Sequence, residues 1–176
     1  MNAIEKKART ILENLNISEP PVPVELVAKK MGAKLTFEPF EGKDDISGML
    51  FRNGNIIIIG INSAHPNTRQ RFSIAHEIGH LFLHKKKLFI DKVVRVDFRN
   101  ATSSMAIDKN EIAANAFAAE LLMPKDFIQK EIYREISKQN ITPGKEKLIQ
   151  KLANTFDVSI QAMEFRLINL GFLISQ

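Results

Sequence analysis

The stretch FSIAHEIGHLFLH, residues 72–84, holds three of the chain's four histidines, His76, His80 and His84, at intervals of four. Phe72, Ile74, Ala75, Ile78, Leu81, Phe82 and Leu83 spread apolar side chains nearly all round a 3.6-residue period. That pattern predicts a helix buried on most of its sides. A buried helix does not take in imidazoles without partners, because each unpaired polar group costs about 1–3 kcal/mol. Residues 76–80 read His-Glu-Ile-Gly-His, the pattern HExxH. Residues four apart on a helix lie one above the other, so both rings can reach one cation. Glu77 is rotated from them by about 100°. It can lie beside a metal rather than on it and take a proton from water. Gly79 lets another element approach this helix closely.

The surrounding sequence predicts an α+β fold. An amphipathic helix spans roughly 2–15, with Ile4, Ala8, Ile11, Leu12 and Leu15 on one face. EPPVP (19–23) is a stiff connector, and VELVAKKMG is a short helix stopped by Gly32. AKLTFEPF, ISGMLFR and NIIIIGIN read as strands of a three-stranded antiparallel sheet. Asn53-Gly54 between the last two signals a hairpin with a type I′ turn. Residues 85–108 read as irregular, with a strand at VVRVDFR. A second long helix covers NEIAANAFAAELLM, and Pro124 follows it. Further helices fill the rest. The expected division is a core over 1–124 and a C-terminal helical region over 125–176 packed on it. No βαβ alternation occurs, which separates this pattern from a doubly wound sheet.

Composition narrows the chemistry. The 176 residues suit one compact unit. Cysteine is absent, which excludes disulfides, thiolate nucleophiles and thiolate metal sites. Any metal must be held by His, Asp or Glu. Charged residues interrupt the N-terminal apolar pattern, against a signal peptide, and IIIIGI is too short to span a membrane. The expected location is cytoplasmic. Net charge is +5, and KKKLFIDKVVRVDFR (85–99) carries six basic and two acidic residues. That run is a solvated loop or edge strand, or else a surface for an acidic partner.

A zinc site on this helix needs a third ligand, and three residues compete. His84 lies eight residues beyond His76, roughly 12 Å along a straight axis, too far for one ion. Its expected role is at the helix C-terminus, where an imidazolium is favourable. Glu111 lies on the second long helix and shares a face with Ala114, Asn115 and Ala118. Small residues there let the helix press against the histidines, and Asn115 can hold a ligating ring in place by a hydrogen bond. Glu120, nine positions after Glu111, points the other way and reads as solvent-exposed. The choice falls on Glu111.

RQRFSIAHEIGHLFLH followed by EIAANAFAAELLMP resembles the ImmA/IrrE family of metallopeptidases. DISGML and KLANTFDVSIQAMEFRLINLG are also typical of that family, so the resemblance covers most of the chain. It implies a small zincin-like domain with a gluzincin-like site. His76, His80 and Glu111 would hold one Zn2+ per chain, and Glu77 would be the catalytic general base. It further implies a cytoplasmic zinc endopeptidase of mobile-element or stress-response regulation. The substrate would be a phage-type helix-turn-helix repressor, whose cleavage relieves repression.

Several features sit beside that reading. Ile46 to Arg52 is the expected sheet edge for a substrate strand. Tyr133, the only tyrosine, and His65 are candidates to stabilise the transition state. LIQKLANTFDVSIQAMEFRLINLG has the rhythm of a helix-turn-helix, with a turn at Asp157-Val158 and Ser159 as N-cap. Its second helix offers Gln161, Arg166 and Asn169 but also Glu164, so it reads as a packing or docking element, and direct DNA binding is not expected. The competing reading is a non-catalytic regulatory module with a structural or vestigial metal site, binding a protein partner or DNA. Glu77 argues against it, because a purely structural site has no need of a base.

Overall fold

The N-terminal amphipathic stretch forms α1 (Ala3–Asn14), which buries Ala8, Ile11 and Leu12. Asn16 ends it in the left-handed region at φ 55°. The Ile17 amide reaches back to Leu12 O at 2.9 Å, closing the helix end as a C-terminal cap. The structure, a computed structural model, describes residues 3–43, 45–85, 87–92, 109–139 and 144–174. α2 (Val24–Lys30) follows and stops at Gly32, whose φ of 80° suits glycine.

The strands are β1 (Ala33–Glu38), β2 (Ile46–Asn53), β3 (Ile56–Asn62) and β4 (Leu88–Lys92). They form a four-stranded mixed sheet in the order β1-β3-β2-β4. This corrects the expected three-stranded antiparallel sheet. β2 pairs antiparallel with β3 and with β4, but β1 runs parallel to β3. The loop after β1 carries the chain past a vacant position, which β3 then fills. Asn62, 1% exposed, ties both ends of that loop. Its Nδ2 donates to Ile46 O at 3.0 Å. Its Oδ1 accepts from Phe40 N at 3.4 Å and from Ala64 N at 3.1 Å.

Two finer expectations change with the sheet. The hairpin register pairs Asn53 with Ile56, so the two loop residues are Gly54 and Asn55. Only Gly54 has a positive φ, 55°. That is the requirement of a type II′ turn, with glycine first, rather than type I′. And Ile46 to Arg52 is no edge: β2 is flanked on both sides. VVRVDFR (93–99) lies outside the described residues, and the strand that precedes it, β4, takes the place beside β2.

α3 (Asn67–Leu83) packs beneath the sheet, with Ile74, Ala75 and Ile78 buried against Leu50, Ile59, Ile61 and Phe89. Arg52 of β2 closes its far end by donating to His84 O at 2.9 Å and Leu81 O at 3.4 Å. α4 (Lys109–Leu122), α5 (Lys125–Gln139), α6 (Lys145–Phe156) and α7 (Ile160–Asn169) complete the fold. One apolar cluster runs from Ala8 through Ile78 and Phe117 to Phe156 and Leu167.

The α6–α7 turn forms as its sequence predicts. Asp157 is left-handed at φ 51°, and Ser159 Oγ accepts from Ala162 N at 3.1 Å. Arg71 of α3 fastens this turn, donating to Asp157 O at 3.0 Å and Val22 O at 2.9 Å. Arg166, one of the residues weighed for reading DNA, is instead 8% exposed. It donates to Met123 O at 3.0 Å and pairs with Glu120. Glu120 is therefore buried, 4% exposed, and not on the surface. Its partner is 46 positions away, which no helical periodicity shows.

Candidate metal centre

The centre is built where α3 and α4 touch. A Cβ on Gly79 would lie 3.1 Å from both Cα and O of Ala114 and 3.2 Å from Phe117 Cδ1. The missing side chain brings the two backbones together. Ala114 is one turn after Glu111, so this contact carries the first turn of α4 to the histidines.

His76 and His80, each 1% exposed, present their Nε2 atoms 2.9 Å apart. Glu111 spans the pair, with Oε2 3.1 Å from His76 Nε2 and Oε1 3.2 Å from His80 Nε2. Ligand atoms of these three residues all lie within 4.8 Å of one another. Asn115 Oδ1 lies 2.9 Å from His76 Nδ1. An amide oxygen only accepts, so Nδ1 carries the ring proton and the neutral ring turns its Nε2 lone pair to the centre. There it meets the Glu111 carboxylate, another acceptor.

The cluster therefore requires positive charge between its members, as protons or as a metal ion. Hydrogen bonds with His76, then His80, hold the Glu111 carboxyl well below the ordinary carboxylate range against the opposing effect of burial. A metal bound here takes the place of such protons. Two imidazole nitrogens and a carboxylate suit zinc, and the 32% exposure of the Glu111 side chain leaves one side of the centre open. The residues fit the ion.

The walls are specific. Phe89 of β4 stacks on His80 with ring centroids 4.1 Å apart and an interplanar angle of 20°. Glu77 is fully buried between α3 and β2. A Cβ on Gly48 would stand 3.1 Å from Glu77 Oε1, so the glycine makes the space this carboxylate occupies. Sequence reasoning missed both residues. An isolated glycine inside a strand was the available signal for Gly48, since it marks a close approach. Phe89 gave none, because nothing in the sequence pairs β4 with β2.

A family model described as the IrrE N-terminal-like domain, of the M78 peptidases, matches residues 28–168. The chain belongs to this family. A comparison with curated proteins gives no match. The span matched by the M78 model contains HExxH, Glu111, Asn115, α5, α6 and all but the last residue of α7.

None of the other candidates belongs to the ligand group, although the His84 ring lies 5.3 Å from that of His80 between centroids. His84 follows the last residue of α3, and its Nε2 lies 3.2 Å from Asn110 O, so its ring links α3 to the start of α4. Glu120 faces α7. Tyr133 is 71% exposed on α5. His65 precedes α3, where its backbone O accepts from Gln70 Nε2 at 2.7 Å. No described helix is long and apolar enough to cross a membrane.

Proposed function

We propose that this M78 peptidase is a zinc-dependent endopeptidase with Glu77 as general base. The observation that carries the reading is the convergence of His76 Nε2, His80 Nε2 and the Glu111 carboxylate on one buried point beside a buried glutamate. A zinc ion held by His76, His80 and Glu111 would supply Lewis acidity, polarising the scissile carbonyl and lowering the pKa of a water towards ~7.

The chain's own groups do the rest. Asn115 fixes the tautomer and tilt of His76. Phe89 and the α3–α4 contact hold His80 in a dry wall. A Glu77 carboxylate oxygen takes the proton of the attacking water and returns it to the leaving amine nitrogen. Gly48 leaves that carboxylate its room. The substrate class follows the family resemblance: a helix-turn-helix repressor, cut in the cytoplasm to relieve repression. The burial of Arg166 supports a docking or packing role for α7 over DNA reading.

The test is Glu77→Gln, purified beside the wild type. Zinc per chain by elemental analysis is expected to be equal, while cleavage of a candidate repressor falls by ~10²–10⁴. Cutting at the wild-type rate by the variant would falsify the general-base assignment.

A further inference from the structure

β1 is an edge of the sheet: among the described residues it pairs only with β3, in regular register and without a bulge. Glu38 O accepts from Ser63 N at 3.1 Å. The even-numbered residues of β1 therefore turn their backbone groups towards β3 in this parallel pair. Leu35 and Phe37 turn theirs to the open side.

The side chains of this strand form a self-complementary set. Read about Thr36, the segment Lys34-Leu35-Thr36-Phe37-Glu38 opposes Lys to Glu, Leu to Phe and Thr to itself when set antiparallel to a copy of itself. Lys34 and Glu38 are both exposed and make no ion pair among the described residues. On the face towards α2, Phe37 is 39% and Leu26 is 45% exposed. With Ala33 and Leu35 they line an open groove beside the edge.

We infer that β1 is a homodimerisation edge, pairing antiparallel with β1 of a second copy about a twofold axis at Thr36. The register agrees with the backbone. Leu35 and Phe37 of opposite copies become hydrogen-bonded pairs through the groups they turn outward. Thr36 meets its own copy at a non-hydrogen-bonded position. Two Lys34–Glu38 pairs form across the outer face, and each Phe37 lies against Leu35 and the groove of the other copy. Opposite charges and apolar pairs across antiparallel strands are stabilising, and like charges directly opposite are destabilising. The result is a continuous eight-stranded sheet with closed twofold symmetry. The partner is a second copy rather than another strand-bearing protein because both the charges and the apolar residues match themselves.

Sedimentation equilibrium of the full chain over a concentration series tests this. The wild type is expected to dimerise in the micromolar range. Lys34→Glu, and Glu38→Lys, each set like charges opposite one another twice and should weaken the dimer about tenfold or more. The double variant K34E/E38K restores opposite charges and should restore the dimer. A second measurement uses the absence of cysteine. Thr36→Cys sets two thiols opposite each other at Cα separations of about 4.5 Å, within disulfide range. Mild oxidation should link T36C into dimers and should not link T36C/K34E. A wild type that stays monomeric at every concentration overturns the inference. So does a dimer indifferent to the single charge reversals, or one the double variant fails to recover.

Discussion

Glu111 and Glu120 stand at opposite ends of α4 and on opposite sides of it; the Glu120 carboxylate is withdrawn from water and that of Glu111 only partly so. Glu120 meets a cation that the chain itself supplies, Arg166, whose guanidinium burial pushes down to about 10 and which stays charged at neutral pH. Glu111 meets two imidazoles that carry no fixed charge. The C-terminal end is complete as folded. The N-terminal end is complete only with protons or an ion. A carboxylate whose counter-charge must come from outside marks a binding site, whereas one that is already paired marks a joint of the fold.

Substitutions at the two ends should separate these roles. The largest effect is expected from Glu120→Ala, which leaves Arg166 buried without its counter-ion. It should cost ~3–5 kcal/mol of stability in urea unfolding and leave zinc binding of the folded protein unchanged. Glu111→Ala should do the reverse, lowering zinc affinity by more than the ~10–100-fold typical of an outer hydrogen-bonding partner while costing less metal-free stability than Glu120→Ala. Equal zinc titrations for the two variants would erase the distinction between joint and site. Asn115→Ala should fall between, at ~10–100-fold in zinc affinity. His84→Ala should leave the titration within a few-fold of wild type, since its ring packs against His80 at 5.3 Å between centroids and its Nε2 bonds Asn110 O, but it offers the triad no ligand atom.

The smallest effect concerns pH. The Glu111 carboxyl titrates below its ordinary value of 4.5 in the folded chain. The stability it contributes to the metal-free protein is thus fully present above about pH 4.5 and is lost as pH falls through the lower folded value. Urea midpoints of metal-free wild type should therefore decline on acidification more than those of Glu111→Ala.

The same contrast explains what could be read from the sequence. The triad was legible because its determinants are local or periodic: HExxH on one helix, and Glu111, Ala114, Asn115 and Ala118 on one face of another. Gly79 announced the close contact that joins the two helices. The Glu120–Arg166 pair was not legible, because Glu120 looks like any polar residue on the back of a helix until α7 is placed. The sheet failed for a related reason. A period of two identifies strands but not neighbours. The parallel β1–β3 pairing rests on Asn62 holding the loop between β1 and β2, a set of side-chain-to-backbone bonds without a sequence signature. The hairpin shifted by one residue because Asn55 as well as Asn53 flanks Gly54, and only the strand register decides between them.

The meeting of Gly79 with Ala114 has a further consequence. It is a contact between backbones, so the helices that carry His76, His80 and Glu111 meet through main-chain geometry. Little conformational entropy is left for an ion to remove when it arrives, and little structure collapses when it leaves. A zinc ion held there would then follow the free zinc concentration of its surroundings like a dial, with little rearrangement of the two helices.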